Sequence, residues 1–333
     1  MAQVTGTFSS YDAVGNHEDL ENAIYRITPE ETPFMQLIGT TKVEAVRHDW
    51  QTDTLATPAA NAQVEGDDYT YATRSPTKRV ANFTQISWKP VIVTETQDAV
   101  NKAGRDTELG YQLSKASVEL KKDIEFSMLS NAASVAGDDT TARVSAGFPA
   151  WFTTNADRGA GGASGGFSSN TGLVAAATNG TQRAWTKTLL DNSIQSVYTS
   201  GGNPSIIMVS PYNKRVFSTF MSDANVAPFR RPVSDNKKQG VILAAADVYQ
   251  SDFGELDVLP NRVMSTSAAV ARNVFIIDTS KVARGVLRPM TQDTPAKTGD
   301  ANKKVIKTEW TLVNRNEAAH GIIADVFGLT AST

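Results

Sequence analysis

The chain has 333 residues, about twice the ~150-residue prior for one domain, so two packed units or one elaborated fold are expected. Hydrophobic residues make up 40% and charged residues 20%, enough for a sizeable core, and no apolar run nears the ~18 residues that span a bilayer, so no membrane partner is expected. With 32 Lys+Arg against 35 Asp+Glu the formal charge is −3, which removes the electrostatic basis for coating nucleic acid with the whole surface, and zero cysteines exclude disulfides, thiolate catalysis and Cys-based metal sites.

The first twenty residues contain no Lys or Arg and no apolar stretch, so no secretory signal is expected and cytoplasmic synthesis is the default. Up to about residue 39 the chain is polar and mixed, and Thr28-Pro29 and Thr32-Pro33 favour extended or turn geometry, so it reads as an arm. Strand alternation follows: Val46, His48, Trp50, Thr52 and Thr54 share one face, and in a second run over 80–93 so do Val80, Ile86, Trp88 and Ile92. Between the runs, 57–77 carries Pro58, Gly66 and Pro76 with the acidic group Glu65, Asp67 and Asp68, too polar for a core. The pattern predicts either a surface hairpin or a long two-stranded tongue that leaves the body and needs something to lie against.

Asp106 or Thr107 can cap the longest helical pattern, with Glu108 in its first turn. Leu109, Leu113, Ala116, Leu120, Ile124 and Met128 recur at spacings of three and four, predicting a spine helix over about 107–131. Gly159, Gly161, Gly162, Gly165, Gly166 and Gly172 mark 159–172 as a flexible loop. A shorter helix capped by Thr186 carries Leu189, Leu190, Ile194 and Val197 and ends at Gly201-Gly202. Strand and helix then mix: a buried run at 206–209, a helix begun by Pro211, and a basic loop with Phe229, Arg230, Arg231, Lys237 and Lys238. A hairpin around Phe253-Gly254, a buried strand over 274–277, and strands over 282–287, 303–313 and 321–327 complete the chain. With no regular βαβ repeat, the fold class is α+β.

Catalytic chemistry finds little support. Gly162-Ala163-Ser164-Gly165-Gly166 matches G-x-S-x-G, and His320 lies downstream as an acid/base partner would, but an elbow needs a strand entering and a helix leaving. A serine hydrolase using Ser164 and His320 is therefore the lesser alternative. His17-Glu18 starts like H-E-x-x-H, yet position 21 is Glu, and His17, His48 and His320 would have to converge from distant segments to bind metal. No phosphate loop or dinucleotide fingerprint occurs. No cofactor, metal or catalytic residue is expected, and the basic loop reads as solvated surface or a subunit contact.

Several segments, in order along nearly the whole chain, resemble the major capsid proteins of tailed bacteriophages with the Hong Kong 97-like fold. They are Thr32-Pro33-Phe34-Met35 with Leu37-Ile38-Gly39; Trp50-Gln51-Thr52-Asp53 with Leu55; Asn82 with Gln85-Ile86; and Val93-Thr94-Glu95-Thr96. They continue with Gly104-Arg105, Glu108-Leu109, Gln112-Leu113, Ser251-Asp252-Phe253-Gly254, Pro260-Asn261-Arg262, Leu287-Arg288-Pro289, Asn316-Glu317 and Ala319-His320-Gly321. The resemblance implies an N-terminal arm (1–45), an extended loop (46–93), a peripheral domain built on the spine (94–202), an axial domain (203–277) and a return to the peripheral domain (278–333). It implies a non-enzymatic shell protein that forms hexamers and pentamers of an icosahedral head, located in the virion and assembled in the host cytoplasm. Double-stranded DNA would be packaged without sequence-specific binding, with portal and separate scaffolding proteins as possible partners; the latter follows from Met1 lying almost at the arm. An encapsulin-like compartment shell is the alternative within the same fold. Lys–Asn cross-linking, known in some relatives, is not carried over to Lys78. The intersubunit contacts are expected on the extended loop, at Trp50, Glu65, Asp67, Asp68, Tyr69, Tyr71, Arg74, Lys78, Arg79 and Trp88.

Overall fold

The computed structural model describes residues 28–69, 71–220 and 247–329. Expectations placed on 1–27, including His17, and on the basic loop with Arg230, Arg231, Lys237 and Lys238 lie outside the described residues.

The spine is α3, Glu108–Leu129, 22 residues long. Ala116, Leu120, Ile124 and Met128, four residues apart, form its buried stripe, while Lys115, Lys121 and Asp123 remain exposed. Its start differs from the sequence expectation. Thr107 occupies the cap position but its hydroxyl makes no capping bond; the Glu108 N–H instead donates to Asp98 Oδ1 at 2.9 Å, from the short helix α2 (Glu95–Ala99). The helix ends at Ser130, where the backbone turns extended (ψ 147°).

The stripe lies against a four-stranded sheet ordered β1-β12-β13-β4, made of Gly39–Lys42, Val282–Asp293, Ala301–Asn314 and Gln85–Thr94. Alternation along β4 and β13 turns Val91, Ile306 and Trp310 toward the helix, and Trp310 Nε1–H donates to Ser87 Oγ at 3.0 Å. The run expected over 80–93 is thus two strands. Thr84 breaks it: β3 (Lys78–Phe83) pairs with β2 (Arg47–Thr52), whereas β4 pairs with β13.

A second, six-stranded sheet is ordered β5-β14-β11-β8-β10-β9, made of Ala156–Asp157, Gly321–Ile323, Val274–Ile277, Ile206–Val209, Gly254–Pro260 and Val248–Ser251. It mixes parallel and antiparallel pairs, in keeping with the α+β class. Both faces are covered, which explains the unbroken apolar runs of β8 and β11. Ile206, Met208, Phe275, Ile277 and Ile322 join the core beneath α3, around Phe34, Phe148 and Phe152. Ile207, Val209, Val274, Ile276 and Ile323 pack on the other side against Trp185, α4 (Lys187–Thr199) and α5 (Pro211–Thr219). Thr186 caps α4 through its hydroxyl, as the sequence leads one to expect, and the Ser210 hydroxyl caps α5 just before Pro211. Because β5 and β14 lie in this sheet, it draws on chain outside 203–277, and β1 shows that the end of the arm is part of the four-stranded sheet. Strand partners far apart in the chain leave no local sequence signal, so divisions by chain position cut through both sheets.

The expected flexible loop at 159–172 is instead folded onto the body. β6 (Gly166–Ser168) pairs with β7 (Leu173–Ala175), and the buried Asp325 carboxylate accepts N–H bonds from Gly159 at 3.0 Å and Gly180 at 2.9 Å through Oδ2. The glycines serve close approach rather than mobility: a Cβ on Gly165 would lie 2.2 Å from the Ala175 carbonyl oxygen.

Candidate assembly surface

The tongue begins as the β2–β3 ribbon, a ladder running from Arg47↔Phe83 to Thr52↔Lys78. Its base is held by Asn82, fully buried, whose Nδ2 donates to the Leu312 carbonyl at 2.7 Å and to Ser145 Oγ at 3.1 Å, while Oδ1 accepts from the Ala146 N–H at 3.0 Å. Asp49 pairs with Arg47 at 2.9 Å and with Arg79 across the ribbon. Burial would push the Asp49 carboxyl up, but the hydrogen bonds from Arg79 and Arg47 outweigh it and hold the carboxyl below its ordinary value. Trp50 does not project: its ring lies against Trp151, centroids 5.5 Å apart, and joins the core beneath α3.

Beyond the ribbon, residues 53–77 form no strand or helix among those described. The tip is a turn at Gly66 (φ +87°) closed by the Asp67 N–H on the Val64 carbonyl at 3.2 Å, with Glu65, Asp67 and Asp68 exposed at it, while Arg74 and Lys78 are exposed further along the chain, Lys78 at the start of β3. Tyr69 and Tyr71 are 83% and 91% exposed, and Leu55 98%. Trp88 stands apart from them, 59% exposed in the middle of β4, on the sheet face turned away from α3 with Ile86 and Ile92. Across the ladder Ile86, Trp88 and Ile92 face Glu309, Lys307 and Lys303 of β13. Among the described residues the tongue and the outer face of the four-stranded sheet are thus separate uncovered surfaces that combine apolar side chains with charge, the first acidic and the second with lysines.

The pair Ser164 and His320 is not assembled into a catalytic arrangement. Ser164 is exposed in irregular backbone between the Ala163–Thr178 bridge and β6, with no strand-to-helix elbow, whereas His320 is fully buried. Its Nδ1 accepts the Asp278 N–H at 3.1 Å, and Phe148 meets the ring edge-on at 5.3 Å. Burial drives the imidazole down to about 4, against the opposing pull of the Asp278 carboxylate. His48 sits beside Trp50, its imidazole lowered by burial, and no metal-binding group of His, Asp and Glu occurs among the described residues.

Sequence reasoning missed the buried acids. Glu309 in β13 receives Arg143 at 2.7 Å, Arg288 at 2.8 Å and the Thr84 hydroxyl at 2.8 Å. Glu125 lies in the spine between Ile124 and Phe126, and its only local signal is a carboxylate flanked by the apolar stripe.

Comparison with known proteins agrees along the whole chain. The major capsid protein of Escherichia phage Phieco32 is 29% identical over 359 aligned residues, covering 98% of each chain. A solved chain of Mycobacterium phage Bobi superposes with a TM-score of 0.59 at 12% identity, over 94% of this chain and 96% of that one. The holo-SrpI encapsulin complex of Synechococcus elongatus PCC 7942 gives 0.55 at 11% identity, over 96% and 95%. At such identities the structural likeness speaks for the fold, which is the Hong Kong 97-like capsid fold. The family model for the SU10 major capsid protein matches residues 3–327, and with tongue, spine and the two sheets in place the chain belongs to that family.

Proposed function

We propose that this chain is the repeating subunit of a phage head, a structural protein that self-assembles into hexamers and pentamers of an icosahedral shell around double-stranded DNA. The observation that carries the reading is the segment 53–77, where Leu55, Tyr69 and Tyr71 are left in water by a loop too thin to shelter them. A neighbouring copy is the natural cover, and the β4 face with Ile86, Trp88 and Ile92 beside Lys303 and Lys307 offers apolar surface and charge opposite to Glu65, Asp67 and Asp68. In this reading the four-stranded sheet with its spine is the peripheral unit and the six-stranded sheet the axial one. The subunit resides in the virion after assembly in the host cytoplasm, with scaffolding and portal proteins as partners in assembly, and holds DNA without reading its sequence. The likeness to SrpI favours a second reading, a compartment shell around a cargo enzyme, but it rests on fold alone.

The test replaces residues 58–76 by a short Gly/Ser turn and follows sedimentation, negative-stain microscopy and circular dichroism. A folded, soluble protein that no longer closes into shells is expected. Normal-sized particles would refute the joining role of the tongue, and a chain that fails to fold would assign the loop to the subunit's own core. Charge reversal by Asp67→Lys with Asp68→Lys should slow assembly, most clearly at low salt, where screening is weak.

A further inference from the structure

Glu125 is fully buried in the middle of the molecule, and among the described residues no Lys, Arg or His pairs with it. Its charge is met by neutral donors alone. Oε1 accepts the Phe34 N–H at 2.8 Å and Asn261 Nδ2–H at 2.7 Å, and Oε2 accepts the Met35 N–H at 2.7 Å. One side chain thus joins three segments: the arm, 91 and 90 residues away at Phe34 and Met35; the spine; and the end of β10, 136 residues away at Asn261. Asn261 is fixed in turn, its N–H on the Val209 carbonyl at 2.8 Å and its Oδ1 accepting the Val263 N–H at 2.9 Å.

A buried carboxylate without a cation is a costly way to hold a core together, because an apolar side chain of similar size would fill the space without desolvating a charge. What the carboxylate adds is direction. Its two oxygens meet two consecutive backbone N–H groups, which permits a single register for the arm. The arm's helix α1 (Pro33–Leu37) has five residues, too few to stand alone, so its place depends on what it docks to. Phe34 completes the docking with its ring 5.3 Å from Phe148, and Ile38 is buried where the chain turns into β1.

We propose that Glu125 is the positioning residue of the N-terminal arm: it sets the register in which residues 33–38 seat on the spine and hence the point from which the arm is offered to other copies, a role that rests on the shell reading above.

The test compares wild type with Glu125→Gln and Asn261→Ala by hydrogen exchange at the amides of residues 34 and 35 and by shell formation in the microscope. Glutamine keeps the shape but turns an N–H₂ group toward one of the donors, so exchange at these amides should rise at least about tenfold while the circular dichroism is kept. Closed shells should be lost or become irregular. Asn261→Ala removes one donor and leaves both arm bonds, so slow exchange and closed shells should persist. Unchanged exchange in E125Q, normal shells from it, or equal loss of shells from N261A would each overturn the proposal. Should E125Q fail to fold, the wild-type protein carries the test: the amides of 34 and 35 should exchange only with global unfolding, and independent opening would refute the docking. If the wild type itself forms no shells, the shell reading fails while the exchange data still decide the seating of the arm.

Discussion

Replacing His320 by asparagine isolates the contribution of one buried imidazole to acid stability. In the fold the ring is neutral, its Nδ1 taken by the Asp278 N–H, and burial holds its pKa at about 4 against an ordinary value of 6.5. Below 6.5 the unfolded chain binds a proton that the folded chain refuses, so stability is fully present above that pH and is lost as the pH falls toward 4. Over that interval, at ~1.4 kcal/mol per pH unit, the loss amounts to about 3 kcal/mol. Asparagine can still accept the Asp278 N–H through Oδ1 but does not titrate. It gives up the contact with Phe148, so the variant starts less stable at neutral pH and then fails to follow the wild-type decline. Urea unfolding followed by tryptophan fluorescence, at intervals from pH 7 to 4.5, measures both proteins. His48, also lowered by burial, and Glu125, raised by it, are common to both and cancel in the difference. Stability curves that run parallel across the interval would refute the claim that His320 is held neutral by burial.

Leu120→Ala should cost about 2–5 kcal/mol in thermal or urea unfolding, because Leu120 sits in the buried stripe between spine and sheet, whereas Lys121→Ala should change little; equal small effects would contradict the packing of α3. Ser164→Ala should leave folding and assembly unaltered, while Gly165→Ala should lower the melting temperature markedly, since its Cβ would collide with the backbone oxygens of Ala175 and Ala150 at 2.2 and 2.6 Å; two equally mild variants would return 159–172 to the status of a free connector.

Much of the architecture is legible locally. The four-residue spacing of Ala116, Leu120, Ile124 and Met128 determines the spine, Thr186 as a cap and Pro211 in a first turn mark two helix starts, and the apolar run 274–277 announces a buried strand. These features arise from neighbours within a few residues of one another, where periodicity and side-chain chemistry act directly. The acidic, proline-broken composition of 57–77 likewise determines that this segment cannot enter a core. Tertiary structure decided what long-range contact controls. It split the run 80–93 at Thr84 between two sheets, drew Trp50 onto Trp151, and brought β5 and β14 from distant parts of the chain to one sheet. It ordered the glycine-rich segment, whose composition alone predicts mobility, because Asp325 reaches Gly159 from 166 residues away and the absence of side chains lets backbones meet. It also gathered Phe34, Met35 and Asn261 around Glu125: a buried carboxylate is tolerable only where donors converge on it, and their convergence is a property of the folded chain that no local stretch of residues encodes.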